Sequence, residues 1–347
     1  MPINYEVINP NTDVATTKTL LHEVIPLTGT IVSGTYGTFP NDDNIKNYSH
    51  GMFQSVYDYP YLSSSANHIF DISVGFDESS PLSGSTSAVQ EKKKINMYNQ
   101  FSQVLLGYTG SANRVRLFES DLQLDESAAD VMREVVFVNL SRLLTKDQIK
   151  KGSVSLTVGT ASWADPFSGT KTFVDNEATN NGGTLNTAGG DYGILTGSDG
   201  VGGIVFYQAG VMVLTSSIWA GTTDFYSAST GIRDFDNQLV SGSISGSADA
   251  LRHRLQNLQF NNTTEINSSV YFCRASHNKF NYSSNPTYLN SSAIRVKNQN
   301  RDNPPVSYIT TIGLYNSQNE LLAVAKLSEP LKKDPTNELT LRVRLDY

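Results

Sequence analysis

Cysteine is nearly missing from this chain. Cys273 is the only one in 347 residues. No disulfide can close within the chain, and no zinc site can be built from several thiolates. Long apolar runs are missing too, and nothing reaches the ~18 residues a membrane-spanning helix needs. Charge is scarce: Asp, Glu, Lys and Arg make up 17%, against about 25% in ordinary globular domains. The balance is net acidic at −7, which opposes the cationic surface that duplex DNA demands. Met1 to Asn9 is too short and polar for a secretion signal, so synthesis in a cytoplasm is expected. Without secretion, triplets such as Asn262-Thr263-Thr264, Asn267-Ser268-Ser269 and Asn281-Tyr282-Ser283 have no meaning as glycan acceptors.

Ser, Thr, Asn and Gly fill the space that charge leaves. Thr favours strands, while Asn, Gly and Ser favour turns. With 38% hydrophobic residues, the chain can bury a sizeable core, as one large domain or two ordinary ones. The expected fold class is mainly β with a few short helices, a β-sandwich-like core with long loops and an extended N-terminal region. Residues 1–85, broken by prolines, read as an irregular arm or a loop-rich subdomain. Residues 86–347 read as the β-rich core domain. The Ser- and Gly-rich run 79–87 reads as a flexible linker.

Periodicity places the main elements. Ile95, Tyr98, Phe101 and Leu105 share one face of a helix near 89–106, with Ser87 as its cap and Gly107 as its end. Lys92, Lys93 and Lys94 on it read as a solvated face. Val135 to Val138 is a buried strand. Thr145-Lys146-Asp147-Gln148 reads as a capping box opening a short helix. Val154 to Val158 alternates as a half-buried strand, and residues 165–203 read as long loops with short strands. Gly203 to Leu214 is a hairpin turning near Gly210. Ser241 to Ser247 reads as a loop, followed by a helix near 248–259 carrying Leu251, Leu255 and Leu258. Val270 to Arg274 and Ala293 to Val296 are strands. Ser307 to Tyr315 and Leu321 to Leu327 form a hairpin across Asn316 to Asn319. Glu338 to Asp346 alternates as a strand with one wet face.

A search for chemistry returns no assignable residue. His22-Glu23 is followed by Pro26 where a zinc-protease helix needs its second histidine. His50, His68, His253 and His277 are scattered, and His253, between Arg252 and Arg254, reads as a surface or interface residue. Gly200 to Gly203 precedes a strand, so the helix N-terminus of a phosphate site is missing. Asp42, Asp43, Asp165, Asp234 and Asp236 sit in expected loops, where aspartate serves turns. A glycosidase pair or a calcium loop stays open for them. Trp163, Trp219 and the tyrosines fit a carbohydrate platform or interface anchors, and the low charge favours anchors. No catalytic, cofactor-binding or metal-binding residue is assigned, no cofactor is expected, and the chain is not expected to be an enzyme.

The C-terminal region carries a resemblance. Ile309-Thr310-Thr311-Ile312-Gly313-Leu314-Tyr315-Asn316, Glu320-Leu321-Leu322-Ala323-Val324-Ala325-Lys326-Leu327 and Pro330-Leu331-Lys332-Lys333 resemble virion structural proteins of T4-like contractile-tailed phages, cyanophages in particular. Leu251 to Phe260, Asn262 to Arg274, Phe280 to Thr287 and the hairpin at Val205-Phe206-Tyr207 are similar to the same group. The resemblance spans about 200–347, and 88–158 more loosely. It implies a place in the virion, in the baseplate or neck, with other virion proteins and further copies of this chain as partners and neither nucleic acid nor membrane. It transfers no catalytic residue. A receptor-binding or glycan-degrading tail protein, or a head decoration protein, is the alternative it leaves open.

Overall fold

The computed structural model describes residues 5–26, 42–84, 88–109, 114–228, 231–283, 289–290, 293–294, 302 and 306–347. The protein is mainly β with few helices, dominated by antiparallel sheet. The principal strands are β1 (Val14–Pro26), β2 (Ile45–Asn47), β3 (Gln54–Tyr57), β4 (His68–Phe76), β5 (Phe118–Glu119), β6 (Val131–Met132), β7 (Glu134–Leu140), β8 (Ser155–Gly159), β9 (Thr170–Val174), β10 (Gly190–Gly197), β11 (Gly200–Phe206), β12 (Val211–Thr215), β13 (Leu255–Ala275), β14 (Ser307–Tyr315), β15 (Leu321–Lys333) and β16 (Leu339–Asp346). The helices are α1 (Val89–Leu105), α2 (Arg142–Thr145), α3 (Phe235–Ser241) and α4 (Ile244–Arg254). Two compact units result: residues 21–264, and residues 1–20 with 265–347.

In the larger unit the strand order is β13-β8-β9-β10-β11-β12-β7-β4-β3-β2, antiparallel at every step. Its central strands are buried on both faces, which is why Val135 to Val138 reads as an unbroken apolar run. Alternate residues feed different clusters. Val135 and Phe137 join Val211, Val213, Ile204, Phe206 and Tyr192 in one. Val136, Val138 and Leu140 join Met212, Leu214 and Val205 in the other. The register enforces this, setting Phe137 against Val213 and Val136 against Leu214.

Helix α1 buries the face its spacing predicts: Tyr98 and Leu105 are fully covered, and Phe101 stacks on Phe137 at 4.1 Å. Gly107 (φ +85°) ends it, as expected. The Ser87 cap lies outside the described residues. Helix and sheet meet closely at Gly75, where a Cβ would stand 2.8 Å from the Lys94 carbonyl oxygen.

Several elements differ from the sequence reading. Within 1–85 the described residues form four strands. The described part of the expected linker is anchored: Ser80 is buried, its hydroxyl donates to Glu134, and Leu82 packs on the core. Thr145 ends a helix rather than opening one. The cap of α2 is Ser141, whose Oγ accepts from the Leu143 amide at 3.3 Å. The stretch 165–203 supplies β9, β10 and the start of β11 to the main sheet. The Gly/Ser stretch Ser241 to Ser247 holds the α3–α4 junction. Ser243 caps α4 by accepting from Gly246 N at 3.0 Å. Leu255 and Leu258, expected on that helix, begin β13 instead.

In the smaller unit, β13 pairs with β16 from Ser268 against Asp346 to Ala275 against Leu339. Phe272 N donates to Asp13 O at 2.8 Å, and Arg274 pairs with Asp13 at 3.0 Å. Strand β16 has the alternation expected of it: Leu339, Leu341, Val343 and Leu345 are covered, while Thr340, Arg342, Arg344 and Asp346 are exposed. Strands β14 and β15 form the expected hairpin, and β15 continues to Lys333.

Candidate functional site

The β14–β15 hairpin is a two-stranded sheet of its own. Its turn is set by Asn316, whose Oδ1 accepts from the amides of Gln318 and Glu320, each at 2.9 Å. Asn319 adopts the left-handed conformation (φ +65°) that asparagine tolerates. The register sets Leu314 against Ala323 and Ile312 against Ala325 on the better covered face, and Gly313 against Val324 on the other. It shifts between Leu314 and Tyr315, so Leu322 has no partner across the ladder. A Cβ at Gly313 would lie 2.8 Å from the ring of Tyr315. The glycine makes room for Tyr315 and, at 3.2 Å, for Leu321 of the partner strand.

This hairpin leaves large apolar side chains in solvent: Leu322 is 69% exposed, Tyr308 61% and Val324 52%, with Leu321 and Tyr315 close to half. Single exposed leucines mean little, but several large apolar side chains exposed on one short hairpin are of the kind that partners cover. Covering one such side chain fully contributes about 1.5–3 kcal/mol.

A second cluster lies in the larger unit, where β2 forms the end of the sheet. Ser55, Asp71 and Asn139 are successive cross-strand partners and so share one face. Asp71 Oδ1 accepts the Ser55 hydroxyl at 2.5 Å and faces His68 Nε2 at 2.8 Å. Asn139 Nδ2 reaches Oδ2 at 3.4 Å. Tyr48 OH bonds Ser55 Oγ at 3.2 Å, and the Lys46 ammonium lies 5.0 Å over the Tyr48 ring. The ring of Tyr57 stands 5.5 Å from His68 and 6.4 Å from Tyr61. Burial, then the neighbouring Tyr48 and Asp71, push the Tyr57 hydroxyl up. A depression of ≈ 380 Å³ nearby is lined by Asp43, Ile45, Asn47, Pro60, Tyr61 and Leu62.

The order of these bonds decides their chemistry. Serine hydroxyl and imidazole both turn to the carboxylate, and the Ser55 hydroxyl bonds Tyr48 and Asp71 rather than the imidazole. A nucleophile relay needs the imidazole between serine and carboxylate. This cluster is instead a polar clamp flanked by aromatic rings, suited to holding hydroxyl-bearing groups or a polar partner.

The residues singled out in the sequence scatter. His22 Nδ1 faces Thr263 Oγ1 at 3.1 Å. Asp234 caps α3, accepting Asn237 N at 2.7 Å, with Asp236 in the same first turn. Asp165 precedes a short 3-10 turn at Pro166. Gly200 to Gly203 lies in the β10–β11 hairpin, where a Cβ at Gly202 would meet the Phe173 ring at 2.4 Å. Trp219 is core, its Nε1 donating to Gly159 O at 3.1 Å. Trp163 is half-buried, its ring 4.4 Å from His253. The Arg252 and Arg254 that flank His253 are buried, not surface, and Arg254 lies 4.8 Å over Phe225. Burial raises the Cys273 thiol. Among the described residues no three His, Cys, Asp or Glu converge on a metal position. Sequence reasoning missed Tyr48, Ser55 and Asp71. The available signal was a carboxylate inside the mostly apolar run Ile69 to Phe76.

No family model, curated protein or solved structure matches this chain.

Proposed function

We propose that this chain is a structural component of a tailed-phage virion, in the baseplate or neck of a contractile tail, acting through contacts with other virion proteins and with copies of itself. One observation carries the reading. The segment bearing the resemblance, 307–333, is folded as a hairpin with Leu322, Val324 and Tyr308 in solvent. Such side chains are stabilised by a partner and serve no catalytic step. The low charge of the chain agrees with surfaces destined for burial. Immunogold labelling of intact particles tests the assignment. Label confined to baseplate or neck is the expected result, and label on the head, or none on the particle, overturns it.

A receptor-binding role is the second reading, and it rests on the Asp71 clamp with the rings of Tyr57 and Tyr61. It predicts binding to host-surface glycans that is lost in Asp71→Ala. A glycan array without a hit removes it.

A further inference from the structure

We infer that the Asn181-Gly182 turn is a modification site at which the chain alters itself: the Gly182 nitrogen closes on the Asn181 carboxamide, ammonia leaves, and water opens the ring to aspartate or isoaspartate. This is the only Asn-Gly step in the sequence. It lies in the larger unit, between the 3-10 turn Asn176–Thr179 and the short strand Leu185–Thr187.

The turn leaves the reacting groups unengaged. Gly183 N donates to Asn180 O at 3.0 Å, which closes a β-turn with Asn181 and Gly182 at its two central positions. Gly182 stands at φ +82°, the value that the third position of a type II turn needs and that glycine supplies without strain. Both central residues are exposed. Among the described residues neither the Asn181 carboxamide nor the Gly182 amide makes a hydrogen bond. An added Cβ at Gly182 would meet nothing within 4 Å, so no neighbour shields the peptide.

Other asparagines are held. Asn180, one residue earlier, gives its amide to the Glu177 carboxylate. Asn316, which precedes Ser317, accepts two amides on Oδ1 and donates to Glu320 through Nδ2. Asn262 is fixed by Glu23 N and Leu144 O.

The step balances within the chain and its solvent. The Gly182 N–H gives its proton to hydroxide, and the nitrogen electron pair forms a bond to Asn181 Cγ. The Cγ–Nδ2 bond breaks, Nδ2 takes up a proton, and ammonia departs. Attack within one chain needs no second molecule in place, and the missing Cβ of glycine leaves the approach open. Water then adds to one of the two ring carbonyls. Opening at one gives aspartate. Opening at the other gives isoaspartate, with one more carbon in the main chain. Either product puts a carboxylate into residues 178–190, which otherwise carry no charge. The isoaspartyl form also lengthens a turn with no slack after it, since a Cβ at Gly183 would lie 1.9 Å from Glu177 O.

Incubation of the full chain at mildly alkaline pH, followed by peptide mapping with mass spectrometry, tests the site. The peptide holding Asn181 should convert to the acid form, split into aspartyl and isoaspartyl species, at a rate that grows with hydroxide concentration. Because the turn is unprotected, the rate in the folded chain should stay within about tenfold of the rate in urea. Asn181→Gln should remove the new acidic isoform, because glutamine has to close a larger ring. Gly182→Ala sets a Cβ beside the attacking nitrogen. Compared in urea, where the turn plays no part, it should slow conversion at least about tenfold, or about 1.4 kcal/mol of barrier. Conversion in urea but not in the folded chain overturns the proposal, since the fold would then hold the carboxamide away from Gly182. Faster conversion at another asparagine, or an acidic isoform that persists in Asn181→Gln, overturns it as well.

Discussion

The ammonium of Lys94 lies 2.7 Å from the carbonyl oxygen of Gly242, just past the end of α3. It also donates to the carbonyls of Leu239 and, at 3.2 Å, Val240. The side chain is fully buried. A helix leaves its last carbonyls without partners, and their partial negative charge favours a cation there. One ammonium has three donors, which matches these three acceptors. Lys94→Met should strand them and lower the unfolding free energy by at least about 2 kcal/mol. The midpoint of urea unfolding reads this directly.

The same lysine gives a pH signature. Burial, with a smaller contribution from Arg233 and against the pull of Glu91, lowers its ammonium to about 8 from 10.5. Between these values the unfolded chain holds a proton that the folded chain has lost. Stability from this group therefore rises with pH across the window. Other groups titrate there too, but they are common to wild type and Lys94→Met. The stability gap between the two should widen from pH 8 to pH 10. A gap constant with pH would mean that Lys94 keeps its charge in the folded chain.

Lys94 also shows where the sequence stops being legible. A triplet of lysines reads as a solvated face, because nothing local says that the third points at the end of another helix some 145 residues away. Patterns that need only neighbours along the chain came through: α1, the β11–β12 and β14–β15 hairpins and the wet-faced β16. Strand β13 came through only over Val270 to Arg274. Its stretch Asn261 to Ser269 has Ile266 as its one apolar residue, so no alternation marks it. Side-chain bonds add to its ladder there, with Asn262 Nδ2 on Leu144 O at 2.9 Å and Asn262 Oδ1 accepting Glu23 N at 3.0 Å. The Asp71 clamp was hidden for the same reason, since its members come from three strands whose register no local pattern reveals. The hairpin surface was legible as a motif, but its exposure was not.

Gly75 faces α1 so closely that a methyl group has no room. An added Cβ would lie 2.8 Å from Lys94 O and 2.9 Å from Tyr98 N, both backbone atoms of a packed helix. Gly75→Ala should cost about 1–3 kcal/mol by displacing α1 from β4. The stacked rings of Phe101 and Phe137 would part with it, so near-ultraviolet circular dichroism should change along with the unfolding midpoint. A wild-type midpoint for this variant would show that α1 sits farther from the sheet.

Asp175 ties three parts of the larger unit together. Its buried carboxylate accepts Gly152 N and Val154 N, each at 2.8 Å, and the Tyr207 hydroxyl at 3.0 Å. Removing the acceptor leaves buried donors bare, so Asp175→Ala should cost more than about 2 kcal/mol. Tyr207→Phe removes one donor and should cost about 1 kcal/mol. Because the two residues touch, the double variant should fall short of the sum by about 0.5 kcal/mol or more. Strict additivity in the cycle would show that the Asp175–Tyr207 bond contributes nothing.

The hairpin prediction separates folding from assembly. Leu322 and Val324 are so exposed that Leu322→Lys with Val324→Lys should leave the unfolding free energy within about 0.5 kcal/mol per site. If these side chains anchor a partner in the virion, each should cost more than about 1 kcal/mol of contact energy there. Repetition around a symmetric particle multiplies that penalty. The doubly substituted chain should therefore fold normally yet be depleted from purified particles when it competes with wild type in one infected culture. Thr340→Lys, on the exposed face of β16, adds a charge outside β14–β15 and serves as the control. Mass-spectrometric counting of the chains per particle checks all three. Depletion of the hairpin variant alone assigns the contact to β14–β15. Equal incorporation of every variant would remove the hairpin from the assembly interface and take away the observation on which the structural role rests.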